Sequence, residues 1–166
     1  ADRMIDRFWD PDWQVFFDTS HEHSKLLVRP RDVLDNAVPS GGAIAAMGLL
    51  RLSVFSGEPD YAAKAEASMK SLVPQMEQSP ATVTTWLSAV DFLTANRQEV
   101  IVIGEREDLV VTDMLREALG RYSPNTVFGG AHKEPGEDEK SPLLMDRFLV
   151  NGKATAYVCE NYACKL

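Results

Sequence analysis

Apolar residues recur at helical spacing through the first 96 positions and gather into short continuous runs after them. Ala43, Met47, Leu50 and Val54 share one face of a helix that opens at Ser40 and stops at Gly57. A serine hydroxyl at that point accepts one of the free N–H groups of the first turn, and glycine suits the left-handed residue that ends a helix. A second helix is expected from Pro59, with Tyr61, Ala65, Met69, Leu72 and Met76 as its stripe. A third takes Ser79 as its cap and Pro80 as its first residue, with Val83, Trp86, Leu87, Val90 and Leu93 turned inward. The short links make successive helices antiparallel neighbours. Ahead of them, residues 4–9 read as the tail of a helix ended by Asp10-Pro11-Asp12. Residues 13–18 and 26–29 have strand composition and are expected to pair as a hairpin across polar residues 19–25.

Past Asn96 the period changes. Val100 to Ile103 is a run of β-branched residues, as in a strand buried on both faces. Residues 108–119 form an amphipathic helix with Val111, Met114, Leu115, Ala118 and Leu119 inward, and residues 125–128 form another strand. That order predicts a parallel βαβ unit. An acidic stretch at 134–139 reads as a solvated loop, and residues 154–159 as a last strand. The fold class that follows is mixed α and β. Helical hairpins with an N-terminal β-hairpin occupy 1–96, and an α/β segment with the βαβ unit and a terminal strand occupies 97–166.

The 166 residues carry a net charge of −8, with no Lys/Arg cluster to make a basic face. That argues against nucleic acid and against anionic membrane surfaces as partners. No apolar run approaches the ~20 residues that span a bilayer. Asp2, Arg3, Asp6 and Arg7 occupy the place of a signal-peptide core, so a cytoplasmic location is expected. His21-Glu22-His23 offers two ligands at alternate positions but no third nearby, and zinc needs at least three, so no metal is assigned. The strand-to-helix joint at 103–108 is where α/β proteins hold phosphates. It lacks a G-x-G-x-x-G pattern, and Glu105, Glu107 and Asp108 repel anions, so no nucleotide cofactor is assigned either.

Several motifs occur in one order: Phe16-Phe17-Asp18-Thr19, Val28-Arg29-Pro30-Arg31-Asp32, Asp35 followed by Pro39-Ser40-Gly41, Val100-Ile101-Val102-Ile103-Gly104, and Ala156-Tyr157-Val158-Cys159 with Cys164. This order resembles the C-terminal part of the thioredoxin-domain proteins related to spermatogenesis-associated protein 20, from about Phe8 to Cys164. The resemblance implies an α/α toroid similar to the six-hairpin glycosidases, of which this chain supplies one part. The implied partners are the thioredoxin-like domain and the remaining toroid helices, and an uncovered apolar face invites self-association. Asn36 stands where the family usually has Gly, and Gly42 where it has Asn. The second difference removes a polar side chain beside the expected cavity.

Within these motifs, Arg29, Asp35 and Ser40 are candidates for a sugar-sized site, with Trp13 or Phe17 as its aromatic platform. Glycoside chemistry needs two carboxylates at a set separation, and Asp18, Asp32 and Asp35 are the local candidates. The guanidinium of Arg29 is expected to face Asp32 or Asp35. The plainer reading is an Arg–Asp brace under the hairpin, with Ser40 only a cap. Cys159 and Cys164 lie about 16 Å apart if their strand is continuous, and only a turn at 160–162 brings them together. Two unbridged thiols are therefore expected. Two functional readings stand side by side. One is a carbohydrate-binding or carbohydrate-modifying part of a toroid protein. The other is a non-catalytic interaction module, linked to thiol redox chemistry through Cys159 and Cys164.

Overall fold

A computed structural model describes residues 1–23, 26–132, 141–160 and 163–165. The chain divides into one unit of residues 1–53 and 58–94 and another of residues 54–57 and 95–166.

The first unit opens with α1 (Asp2–Phe8), which runs directly into β1 (Trp9–Asp10). β1 pairs antiparallel with β2 (Val15–Phe16), Trp9 opposite Phe16. The hairpin therefore lies earlier than the sequence led us to expect. Asp10 accepts hydrogen bonds from the N–H groups of Asp12 and Trp13, both at 3.1 Å, and Gln14 turns with a φ of 54°. The Asp-Pro-Asp segment that looked like a helix stop is thus the hairpin turn, held by its own aspartate. Residues 26–29 are not a strand, and Trp13 sits on the turn, 75% exposed.

α2 (Gly41–Ser56) follows, with Ala43, Ala46, Leu49 and Leu50 fully buried, and Gly57 ends it at a φ of 73°. α3 (Pro59–Lys70) is capped by Glu58, whose side chain accepts from the Asp60 N–H. Its stripe continues into α4 (Val73–Gln78) only after a break at Ser71 and Leu72. Pro74 forces that break, because its ring would collide with the carbonyl of Lys70 in an unbroken helix. Pro80–Thr82 is a 3₁₀ turn, and α5 (Thr84–Thr94) starts four residues later than expected. Ser79 accepts from Thr82 through its carbonyl rather than capping with its hydroxyl. The inward face is Val83, Trp86, Ala89 and Phe92, rotated from the expected Leu87, Val90 and Leu93.

The second unit holds β3 (Gln98–Ile103), α6 (Leu109–Leu119), β4 (Thr126–Ala131), β5 (Thr155–Glu160) and β6 (Ala163–Lys165). The sheet order is β4-β3-β5-β6. β3 and β4 are parallel, Gln98 opposite Thr126 through Ile103 opposite Ala131, as a βαβ unit requires. Ile101, Ile103, Tyr157, Cys159 and Leu143 are buried. Gly104 is tight: a Cβ there would lie 2.6 Å from Val111 and 3.0 Å from the Ala154 side chain. On α6 only Val111 is buried, while Leu115 and Leu119, expected inward, are exposed. The helix leaves an open groove of about 620 Å³ beside Val100, Val102, Met114, Ala118, Ala156 and Val158.

The expectation of two free thiols is overturned. β5 and β6 are an antiparallel hairpin in which Cys159 stands opposite Cys164, and a disulfide joins them with the Cα atoms 3.8 Å apart. The distance of ~16 Å assumed one straight strand, whereas the chain reverses between Glu160 and Ala163. The acidic residues 134–139 lie outside the described residues.

Candidate functional site

The site forms where the segment after β2 meets the start of α2. Phe17 donates its N–H to the Phe8 carbonyl and Asp18 donates its N–H to the Pro30 carbonyl, both at 3.0 Å. These two bonds fix Phe17 and Asp18 between the end of α1 and the loop of residues 30–40. Asp18 in turn accepts the Asp32 N–H through Oδ2 at 2.6 Å. Its Oδ1 stands over the first residue of α2, since a Cβ on Gly41 would approach it to 3.4 Å. The resulting cavity, of about 460 Å³, is walled by Phe8, Phe16, Phe17, Met4, Val38 and Ala45, with Asp18 as its carboxylate.

The loop of residues 32–40 is built by its own side chains. Asp32 accepts from the Leu34 N–H at 3.1 Å and from the Asn36 side chain at 3.3 Å. Asp35 accepts the Ser40 N–H on Oδ1 at 3.0 Å, and on Oδ2 the Thr85 N–H at 2.7 Å and the Thr84 hydroxyl at 3.1 Å. It therefore ties the entry to α2 to the first turn of α5. Burial pushes its carboxyl up, but the hydrogen bonds from Thr85, Ser40 and Thr84 outweigh that and hold it below the usual carboxylate range. Ser40 is buried; its hydroxyl donates to the Asp32 carbonyl at 2.9 Å and faces the Ala43 N–H at 3.4 Å. Both Asp35 and Ser40 work as structural clasps.

Arg29 does not face Asp32 or Asp35, which corrects the sequence expectation. Those carboxylates are engaged by backbone N–H groups of their own loop and of α5. The guanidinium instead donates to the Thr19 carbonyl at 2.9 Å, approaches Asp10 at 3.7 Å and stacks over the Phe17 ring at 4.2 Å. Arg31 reaches Ser71 at 2.9 Å; burial lowers its guanidinium below the ordinary value, against the charge of Asp18. Trp13 does not line the cavity. Gly42 does not face it either: a Cβ there would meet the Trp86 ring at 2.9 Å. Position 42 thus bears on helix packing, not on the cavity.

Of the candidates, Phe17 and Asp18 line one cavity, with Arg29 behind the Phe17 ring. Phe8 and Met4 were not singled out from the sequence, and Phe16 only as part of the Phe16-Phe17-Asp18-Thr19 motif. The Phe16-Phe17 pair was the available signal, since adjacent strand residues face opposite sides and only a local change of direction turns both toward one space. His21 and Glu22 are exposed, the former contacting the Arg7 carbonyl at 3.1 Å and the latter the Arg7 guanidinium at 3.5 Å. Among the described residues no group of three His, Cys, Asp or Glu is arranged to hold a metal, and no helix is long and apolar enough to cross a membrane.

The fold is thus a mixed α/β chain with a helical unit bearing an aromatic cavity and a second unit built on a four-stranded sheet. It matches no protein-family model and no solved structure. It is similar to spermatogenesis-associated protein 20 of Homo sapiens, 27% identical over 162 residues. The match covers 96% of this chain and 21% of that protein. The Mus musculus protein of the same name is 26% identical over the same length, with 20% of it covered. Over that span the chain is homologous to spermatogenesis-associated protein 20, and it covers about a fifth of the length of these relatives.

Proposed function

We propose that this chain supplies a binding pocket for a small neutral polyhydroxy compound, a carbohydrate by chemical class, within a longer protein of its relatives' size. The reading rests on one observation: a cavity with phenylalanine walls and a single carboxylate, Asp18, at the start of α2. Aromatic faces suit the C–H surfaces of a sugar ring, and a carboxylate accepts its hydroxyls. The first turn of α2 carries partial positive charge that would otherwise favour an anion. Asp18 offsets that charge, so a neutral ligand is preferred over a phosphorylated one.

Binding is favoured over hydrolysis. A glycosidase needs two carboxylates flanking the scissile bond, roughly 5–10 Å apart. Among the described residues Asp18 is the one carboxylate that lines this cavity, while Asp32 and Asp35 are occupied by the loop and by the start of α5. Asp35 is also held ionised, the wrong state for a general acid. In the longer protein, the helices of the first unit are read as part of an α/α toroid, with further toroid helices and a thioredoxin-like domain as partners. The support for that is the resemblance of the motifs.

Calorimetric titration with neutral mono- and disaccharides, and with sugar phosphates beside them, tests the reading. Neutral sugars should bind and sugar phosphates should not. Asp18→Asn, which can still accept the Asp32 N–H, should weaken binding about tenfold or more, the loss expected for a hydrogen bond to a charged group. Preference for the phosphorylated sugars, or equal affinity in the variant, would sink the proposal.

A further inference from the structure

The disulfide of the second unit is asymmetric in a way that suits exchange chemistry. Cys159 is buried, 3% exposed, whereas Cys164 on the edge strand β6 is exposed. The Arg147 guanidinium lies 3.9 Å from the Cys159 sulfur and 5.4 Å from the centre of the Tyr157 ring. Its Nη1 donates to the Met145 carbonyl at 3.2 Å, but its Nε is buried with no acceptor. Among the described residues, no carboxylate forms an ion pair with it. A half-buried guanidinium whose Nε is buried and which lacks a counter-charge is costly, and a negative sulfur at Cys159 would supply one.

We propose that the Cys159–Cys164 bridge is a thiol–disulfide exchange site whose co-reactant is a dithiol. Cys164 is the sulfur attacked, and Cys159 is the leaving thiolate received by Arg147. One thiolate of the dithiol bonds to the Cys164 sulfur as the Cys159–Cys164 bond breaks, and the electron pair goes to Cys159. The second thiol of the dithiol, deprotonated, then attacks its own mixed-disulfide sulfur and displaces Cys164. The dithiol becomes a disulfide, losing two electrons and two protons. The chain gains the two electrons; Cys164 takes one proton, Cys159 remains a thiolate and the other proton passes to water. A better-stabilised leaving thiolate departs faster, which is the part Arg147 plays.

Other groups face the sulfur. Glu99 stands opposite Cys159 across the β3–β5 pair and is 1% exposed. The Tyr157 hydroxyl is occupied, donating to the Phe148 carbonyl at 2.8 Å.

Two measurements on the 166-residue chain decide the matter. In the first, the unaltered chain is treated briefly with glutathione, the mixed disulfide is trapped by acid and its position is read by mass spectrometry. The adduct should sit on Cys164; an adduct on Cys159 overturns the proposal, and this readout needs no variant to fold. In the second, reduction by dithiothreitol at neutral pH is timed in the wild type, Arg147→Gln and Arg147→Lys. The glutamine variant should be about tenfold slower and the lysine variant close to wild type, as thiolate stabilisation by a neighbouring cation requires. The ultraviolet thiolate band of the reduced chain at neutral pH should fall with it. An unchanged rate and band in a folded Arg147→Gln chain would mean that the bridge is only a structural clip.

Discussion

Asp35 joins the starts of two helices with three hydrogen bonds, and its replacement should be felt in both. Asp35→Ala should lower the stability of the chain by about 1–2 kcal/mol, the usual cost of losing such a cap, measured by urea unfolding. The pH dependence has a definite sign. The carboxyl is held below its ordinary value in the folded chain, so its stabilisation is present above about pH 4, the unfolded value, and is lost as pH falls through the lower folded value. Wild type should therefore lose more stability than Asp35→Ala on acidification through that window; equal loss would mean that the bonds to Thr85 and Ser40 do not favour the ionised form. At this scale the sequence revealed Ser40 as the residue before a helix, because capping is local. It hid the partner of Asp35, which lies 50 residues on at Thr85, and misdirected Arg29, whose contacts with Thr19 and Asp10 arise only from the folded loop.

Between elements, α2 approaches Trp86 of α5 closely at Gly42. The indole is pinned, since its Nε1–H donates to the Val33 carbonyl at 3.0 Å and the residue is fully buried. A Cβ at position 42 would meet it at 2.9 Å, so Gly42→Ala should destabilise by about 1–3 kcal/mol, the range for overpacking. A thermal scan showing no loss would mean that α2 shifts freely away from α5. Gly104→Ala in the β3–α6 loop should cost a similar amount, because Val111 and Ala154 close on it from two sides. The βαβ unit was readable because buried parallel strands and an amphipathic helix leave strong periodic signals. The β1–β2 hairpin was not, since two-residue strands have almost no period and the turn chemistry of Asp10 looks like a helix stop. The β5–β6 pairing was missed for a related reason: alternation within a strand says nothing of where the chain reverses.

Across the molecule, the two units offer different chemistry: a cavity with a carboxylate in the first, and a bridged edge hairpin beside an unpaired-Nε arginine in the second. The pocket was half legible. Phe17 and Asp18 stood out as a motif, but its remaining walls come from α1, β2 and α2, brought together only by folding. A ligand held there stabilises the folded chain by mass action, so a neutral sugar at ~100 times its dissociation constant should add about 2.7 kcal/mol to unfolding stability. The most direct measurement is amide shift mapping by two-dimensional NMR during a titration with a neutral sugar. If the cavity at the start of α2 is the binding site, the largest shifts fall on Phe17, Asp18, Gly41 and Ala45, and in Asp18→Asn they need about tenfold more sugar to develop. Shifts centred instead on the groove beside Met114 and Val158, or no shifts at saturating sugar, would contradict it.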